Sequence, residues 1–189
     1  MSDKVYVFGV GMTKFGKFLE KSIKQLTGEV LESVLKDCED YINSDEIEAA
    51  WFSNSGWGIS DFQHCIRGQV ALTANSIDKI PIINVENACA GASTALHGAW
   101  TAIKAGLYDC ALAIGVEKGY SEDREKMMQG FIAATDVERT TKLIEQLRKM
   151  ARKKKEREAK KKGDTLLSWI FTQQQLDSIC KNMELHNDN

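Results

Sequence analysis

Apolar positions along the first 120 residues follow two alternating periods. Lys4 to Val10, "KVYVFGV", is short and rich in β-favouring residues, and it runs into the glycines of "GVGMTKFG". From Ser22 to Asp40 the spacing lengthens: Leu26, Val30, Leu31, Val34, Leu35 and Cys38 form a stripe at helical period. Ile47 to Ser53, "IEAAWFS", predicts a second strand, which the glycines of "NSGWG" break. Gln63 to Ala74 predicts a second helix, Ile80 to Val85 a third strand, and Cys89 to Ala105 a third helix with Ala-rich faces. Cys110 to Gly115, "CALAIG", predicts a fully apolar fourth strand. Apolar strands that alternate with helices specify an α/β fold, with a mixed, mostly parallel sheet covered by helices.

Beyond Glu117 the pattern changes. Ten Lys or Arg fall between Arg148 and Lys162, with only a thin apolar stripe at Leu143, Leu147 and Met150. "DTLLSWIF" follows, and then "TQQQLDSICKNMELHNDN", which has helical spacing through Leu176, Ile179 and Met183. The expected organisation is a core over residues 1–138, a charged segment over 139–163 and a C-terminal segment over 164–189.

Composition narrows the class. The 189 residues are 43% apolar and 28% charged, enough for a real core. A net charge of -2 gives no global electrostatic case for nucleic acid or a membrane surface. The five cysteines are Cys38, Cys65, Cys89, Cys110 and Cys180. They are odd in number and show no CxxC spacing, which argues against a disulfide framework and a metal site and for a reducing compartment. No run reaches membrane-spanning length and no leader is evident, so a cytoplasmic location is expected.

The candidate chemistry lies in "VENACAGAS", residues 85–93. Cys89 stands where an apolar strand passes into a helix. Unpaired N–H groups of a first helical turn stabilise a thiolate, and such groups also stabilise the oxyanion formed when a thiolate attacks a carbonyl. Ala88, Ala90, Gly91 and Ala92 leave room for close approach. The strand-turn-helix setting is that of a nucleophile elbow. Against this stands Cys89 as one more small buried hydrophobe. No base is evident nearby. His97 lies two turns along the same helix and reads as a packed histidine. His64, beside Cys65, does not face it on a helix, and His186 sits in a polar tail.

The segment Val85 to Lys118, "VENACAGASTALHGAWTAIKAGLYDCALAIGVEK", resembles the nucleophile segment of the thiolase superfamily. Its look is that of the sterol-carrier-protein type and of archaeal and anaerobic bacterial acyl-CoA thiolases. "VYVFGVGMTKFGKF" resembles the first strand of that group and "QHCIRGQVALTA" the helix before the nucleophile strand, so the likeness covers residues 4 to 138. The tail resembles the helix near the end of the family's first half.

That resemblance implies a thiolase-like half-fold, in which Cys89 accepts the acyl group of a CoA thioester and its N–H helps form an oxyanion hole. A second cysteine, a histidine and an asparagine or histidine motif belong to the family's second half and have no match here. Coenzyme A thioester is the implied substrate, with no covalently bound cofactor and no metal. The strand matching Ile80 to Val85 implies pairing across a twofold axis, hence a homo-oligomer. Some thiolases of this type, including the enzyme that cleaves 2-benzoylsuccinyl-CoA, work with a small zinc-ribbon and OB-fold subunit, which is the expected partner. Two functions follow. One is acyl-CoA acyltransfer through Cys89, completed by a second half. The other is a non-catalytic structural or binding subunit, or a truncated product.

The basic run falls where the family carries a loop domain over CoA. It is read first as a solvated helix face, with attraction of CoA phosphates and docking of a partner as the other readings. Trp51, Phe52 and Trp57 are read as structural. Met127 and Met128 could line an acyl pocket or simply pack.

Overall fold

The computed structural model describes residues 4–160 and divides into two compact units, Met1–Gly130 and Phe131–Asn189. In the first unit, α1 (Ile23–Asp37) begins at a capping box: the Ser22 hydroxyl accepts from the Gln25 N–H while the Gln25 side chain accepts from Ser22. Its apolar stripe buries Ile23, Leu26 and Leu31. Three strands follow: β1 (Ala49–Ser53), β2 (Ile82–Val85) and β3 (Ala111–Gly115), in the order β2-β1-β3 and all parallel. Two short helices, α2 (Trp57–Asp61) and α3 (Arg67–Thr73), link β1 to β2, and α4 (Gly91–Lys104) links β2 to β3.

Because β1 is central, both its faces are covered. Ala49, Ala50 and Phe52 are no more than 1% exposed. Phe52 packs in a cluster with Ile23, Leu26, Leu72, Trp57, Leu112 and Ile114. Burying such a side chain stabilises the fold by about 1.5–3 kcal/mol. On the other face α4 approaches closely through small residues: Ala95, Ala99 and Ala102 are buried, and a β-carbon at Gly98 would lie 2.5 Å from Trp51 Nε1. Phe52 and Trp57 thus hold the structural roles expected of them. Trp51, half-buried, meets the Tyr108 ring edge-on at 6.2 Å.

Three local expectations are corrected. Residues 4–10 are not a strand of this sheet. Tyr6, Val7, Phe8 and Val10 are 52–72% exposed. Gly9 instead lies on α1, where a β-carbon would come within 2.9 Å of Cys38 Cβ and of the Val34 carbonyl oxygen. The Val10 N–H is given to Asp37 Oδ2 at 2.9 Å. The glycine thus allows the segment to approach α1 closely, in place of ladder pairing.

The helix expected over residues 63–74 exists only as α3. Phe62 at φ 60° and Ile66 at φ 47° are left-handed, so the chain breaks on both sides of His64 and Cys65. Cys89 itself stands in a 3-10 turn, Ala88–Ala90, just ahead of α4.

α5 (Arg124–Ala133) carries the half-buried Met127 and Met128, both within the first unit. The 21-residue α6 (Thr140–Lys160) carries most of the basic run. Ile144 is buried, while Lys149, Arg152 and Lys153 are exposed, as a solvated charged face requires. No described helix is long and apolar enough to cross a membrane. Residues 161–189, with Cys180, His186 and the helix expected in the tail, lie outside the described residues.

Candidate active site

All three parallel strands end on the same edge of the sheet, and the chemistry-bearing residues collect there, as they do in open α/β sheets. β1 ends in the polar run Ser53-Asn54-Ser55-Gly56, β2 in Glu86-Asn87-Ala88-Cys89 and β3 in Val116-Glu117. The backbone joins these ends: Asn54 donates its N–H to the Val85 carbonyl at 3.3 Å, and Val116 donates to Ser53 at 3.1 Å.

Cys89 is exposed. The alternative of a small buried hydrophobe does not describe it; Cys38, 5% exposed beneath the N-terminal segment, is such a residue. The residue before Cys89, Ala88, is held at φ 43°. A residue with a β-carbon is seldom found there and persists only where its surroundings hold it. The Ala90 N–H donates to the Asn87 carbonyl at 2.9 Å, and the Gly91 N–H to Ala88. α4 starts without a side-chain cap at Ala90, so no side chain competes there for the positive end of the helix.

Six polar residues around this turn, Glu86, Ser55, Glu117, Asn54, Asn87 and Thr94, were not among the expected site residues. Glu86 Oε1 accepts from the Ala88 N–H at 2.6 Å and from the Ser55 hydroxyl at 3.0 Å. Its carboxyl is thereby held below the ordinary glutamate value, the Ala88 N–H contributing most, then Ser55, with Arg67 adding to both and slight burial opposing. Glu117 accepts from the backbone N–H groups of Ser55 and Gly56, the latter at 3.1 Å, and from Asn54 Nδ2 at 3.3 Å.

Asn54 is 1% exposed and fully engaged. Its Nδ2 also donates to the Val116 carbonyl at 2.7 Å, and its Oδ1 accepts from the Trp57 N–H at 3.0 Å. On the other side of the turn, Asn87 Nδ2 donates to Thr94 Oγ1 at 2.9 Å, and the Thr94 hydroxyl donates to the Ala90 carbonyl at 3.1 Å. The polar triplet "SNS" closing an apolar strand was the available signal for the β1 loop.

No described histidine is placed as a base in this network. His97 is exposed rather than packed, its ring 6.0 Å from that of Trp100. His64, also exposed, stands beside Phe62 and against Gly58. Cys110 is half-buried: burial raises its pKa, and Glu46, Glu48 and Cys38 raise it further. No group of three or more metal-ligating side chains occurs among the described residues.

The arrangement provides a presented thiol, an uncapped helix start and a loop fixed by two carboxylates. The family model described as "Thiolase, N-terminal domain" matches residues 5–171. Sterol carrier protein 2 of Gallus gallus is 34% identical over 155 residues, 81% of this chain and 26% of that protein. An acetyl-CoA acetyltransferase of Methanothermobacter thermautotrophicus is 31% identical over 114 residues, 60% of this chain and 29% of that one. The benzoylsuccinyl-CoA thiolase subunit BbsB of Thauera aromatica is 33% identical over 118 residues, 62% of this chain and 29% of its own. The chain therefore spans less than a third of each of these relatives. By the match over residues 5–171 it belongs to the thiolase N-terminal domain family.

Proposed function

We propose that the chain supplies the nucleophile of a thiolase-type acyl transfer, accepting the acyl group of a CoA thioester on Cys89. The observation that carries this reading is the exposed Cys89, presented at the carboxyl end of a parallel strand ahead of an uncapped helix. The Cys89 thiolate attacks the thioester carbonyl, and the carbonyl oxygen becomes an oxyanion facing the N–H groups of the turn. Collapse breaks the carbon–sulfur bond to CoA, CoA leaves as its thiol after taking a proton, and an acyl-cysteine remains. Transfer onward to CoA, or to the enolate of a second acyl-CoA, needs a base. That base is assigned to the part of the fold that the longer relatives span and this chain does not.

Two partners belong to the proposal. A second copy pairs along β2, an edge strand whose Ile83 is 37% exposed and whose Asn84 is exposed. A small zinc-ribbon and OB-fold subunit is the other, a reading supported by the Thauera relative, which is named as a subunit. A cytoplasmic setting fits free thiols at Cys38, Cys65, Cys89 and Cys110.

The second reading is a thiolase-like binding or assembly subunit without turnover. The positions of His64 and His97, each beside an aromatic ring, favour it. The test is chromatographic measurement of free CoA after mixing the chain with excess acetyl-CoA. A single stoichiometric burst that disappears in Cys89→Ser supports the nucleophile, and no burst from folded protein supports the binding subunit.

A further inference from the structure

The geometry points to Glu86 as a positioning residue for the Cys89 nucleophile, a role that rests on the reading of Cys89 given above. Ala88, between the end of β2 and Cys89, holds a positive φ of 43°. Nothing in the alanine side chain favours that conformation, so the restraint has to come from its neighbours. Glu86 provides it. One carboxylate oxygen takes both the Ala88 N–H at 2.6 Å and the Ser55 hydroxyl at 3.0 Å. The Ser55 hydroxyl also lies 3.5 Å from the Ala88 carbonyl oxygen. Both polar groups of the strained residue thus face the same two side chains.

The clamp is anchored on a rigid element. The Ser55 backbone is held in turn by Glu117, and Asn54 beside it is buried with its amide satisfied. β1 is the central strand, so the Cys89 turn is registered against the best-packed part of the sheet. Asn87 through Thr94 secures the opposite flank. The partners of the Glu86 carboxylate are the Ala88 N–H and the Ser55 hydroxyl. It acts through the backbone that presents Cys89.

A carboxylate and a carboxamide of the same length can both accept two hydrogen bonds through one oxygen. That separates positioning from charge. The experiment compares the full chain with Glu86→Gln and Glu86→Ala in two readouts: amide hydrogen exchange at Ala88, and the rate at which acetyl-CoA acylates Cys89, followed by mass. Glu86→Ala is expected to speed Ala88 exchange and to slow acylation by about tenfold or more, the scale of a misplaced reacting group. Glu86→Gln is expected to restore most of both, with circular dichroism unchanged in all three proteins.

Unchanged Ala88 exchange in Glu86→Ala would overturn the clamp. So would a Glu86→Gln variant as impaired as Glu86→Ala, because charge would then be what matters. If the wild-type chain takes up no acetyl group, the nucleophile reading fails and the positioning role fails with it. The exchange readout then decides only whether Glu86 holds the turn.

Discussion

The backbone of Gly91, the first residue of α4, lies directly against the hydroxyl of Ser53, the last residue of β1. A β-carbon at 91 would overlap Ser53 Oγ. Since φ at Gly91 is -58°, glycine is needed there for room and not for conformation. Gly91→Ala is expected to push the start of α4, and Cys89 with it, away from the sheet at a cost of about 1–3 kcal/mol. Urea unfolding measures the cost, and the double variant with Ser53→Ala should recover part of it.

Glu117 is exposed, yet its carboxylate satisfies two backbone N–H groups of the β1 loop. Glu117→Ala is expected to cost about 1–3 kcal/mol, the range for leaving such donors unmatched. Faster amide exchange confined to Ser55 and Gly56 would identify the cause.

How much of this was legible in the sequence differs by element. β1, β2, β3, α1 and α4 are set by local apolar period and fall within three residues of the expected bounds, as end effects allow. Residues 4–10 have an equally clear strand pattern, but the pattern cannot specify a ladder partner, and the approach of Gly9 to α1 is a tertiary fact. The break at Phe62 and Ile66 was hidden because both residues are ordinary helix or strand formers, held left-handed by their context. Cys89 was legible as a candidate. The residues that hold its turn were not, because Glu86 and Glu117 look like surface charge until the fold brings them to residues 31 and about 60 positions away.

The Glu86 carboxyl should titrate below the ordinary glutamate value. A depressed folded-state pKa means that its stabilising contribution is fully present above the unfolded pKa and is lost as pH falls through the folded one. Protection of the Ala88 amide is therefore expected to fall at a pH below the ordinary glutamate value. A carbon-detected titration of Glu86 gives the midpoint directly.

The free thiols should separate by exposure. Cys65 and Cys89 are exposed, Cys38 is buried, and Cys110 is half-buried with a raised pKa. Iodoacetamide at neutral pH, with peptide mapping, is expected to label Cys65 and Cys89 before Cys38 and Cys110. Early labelling of Cys110 would contradict the packing around β3.

The most direct test of the central claim is the intact mass of the chain after incubation with acetyl-CoA and with a panel of 3-oxoacyl-CoAs, Cys89→Ala serving as control. One added acyl group is expected, mapped to the peptide containing Cys89 and absent from the variant. An unmodified chain that is demonstrably folded, or an acyl group that survives Cys89→Ala, would contradict it.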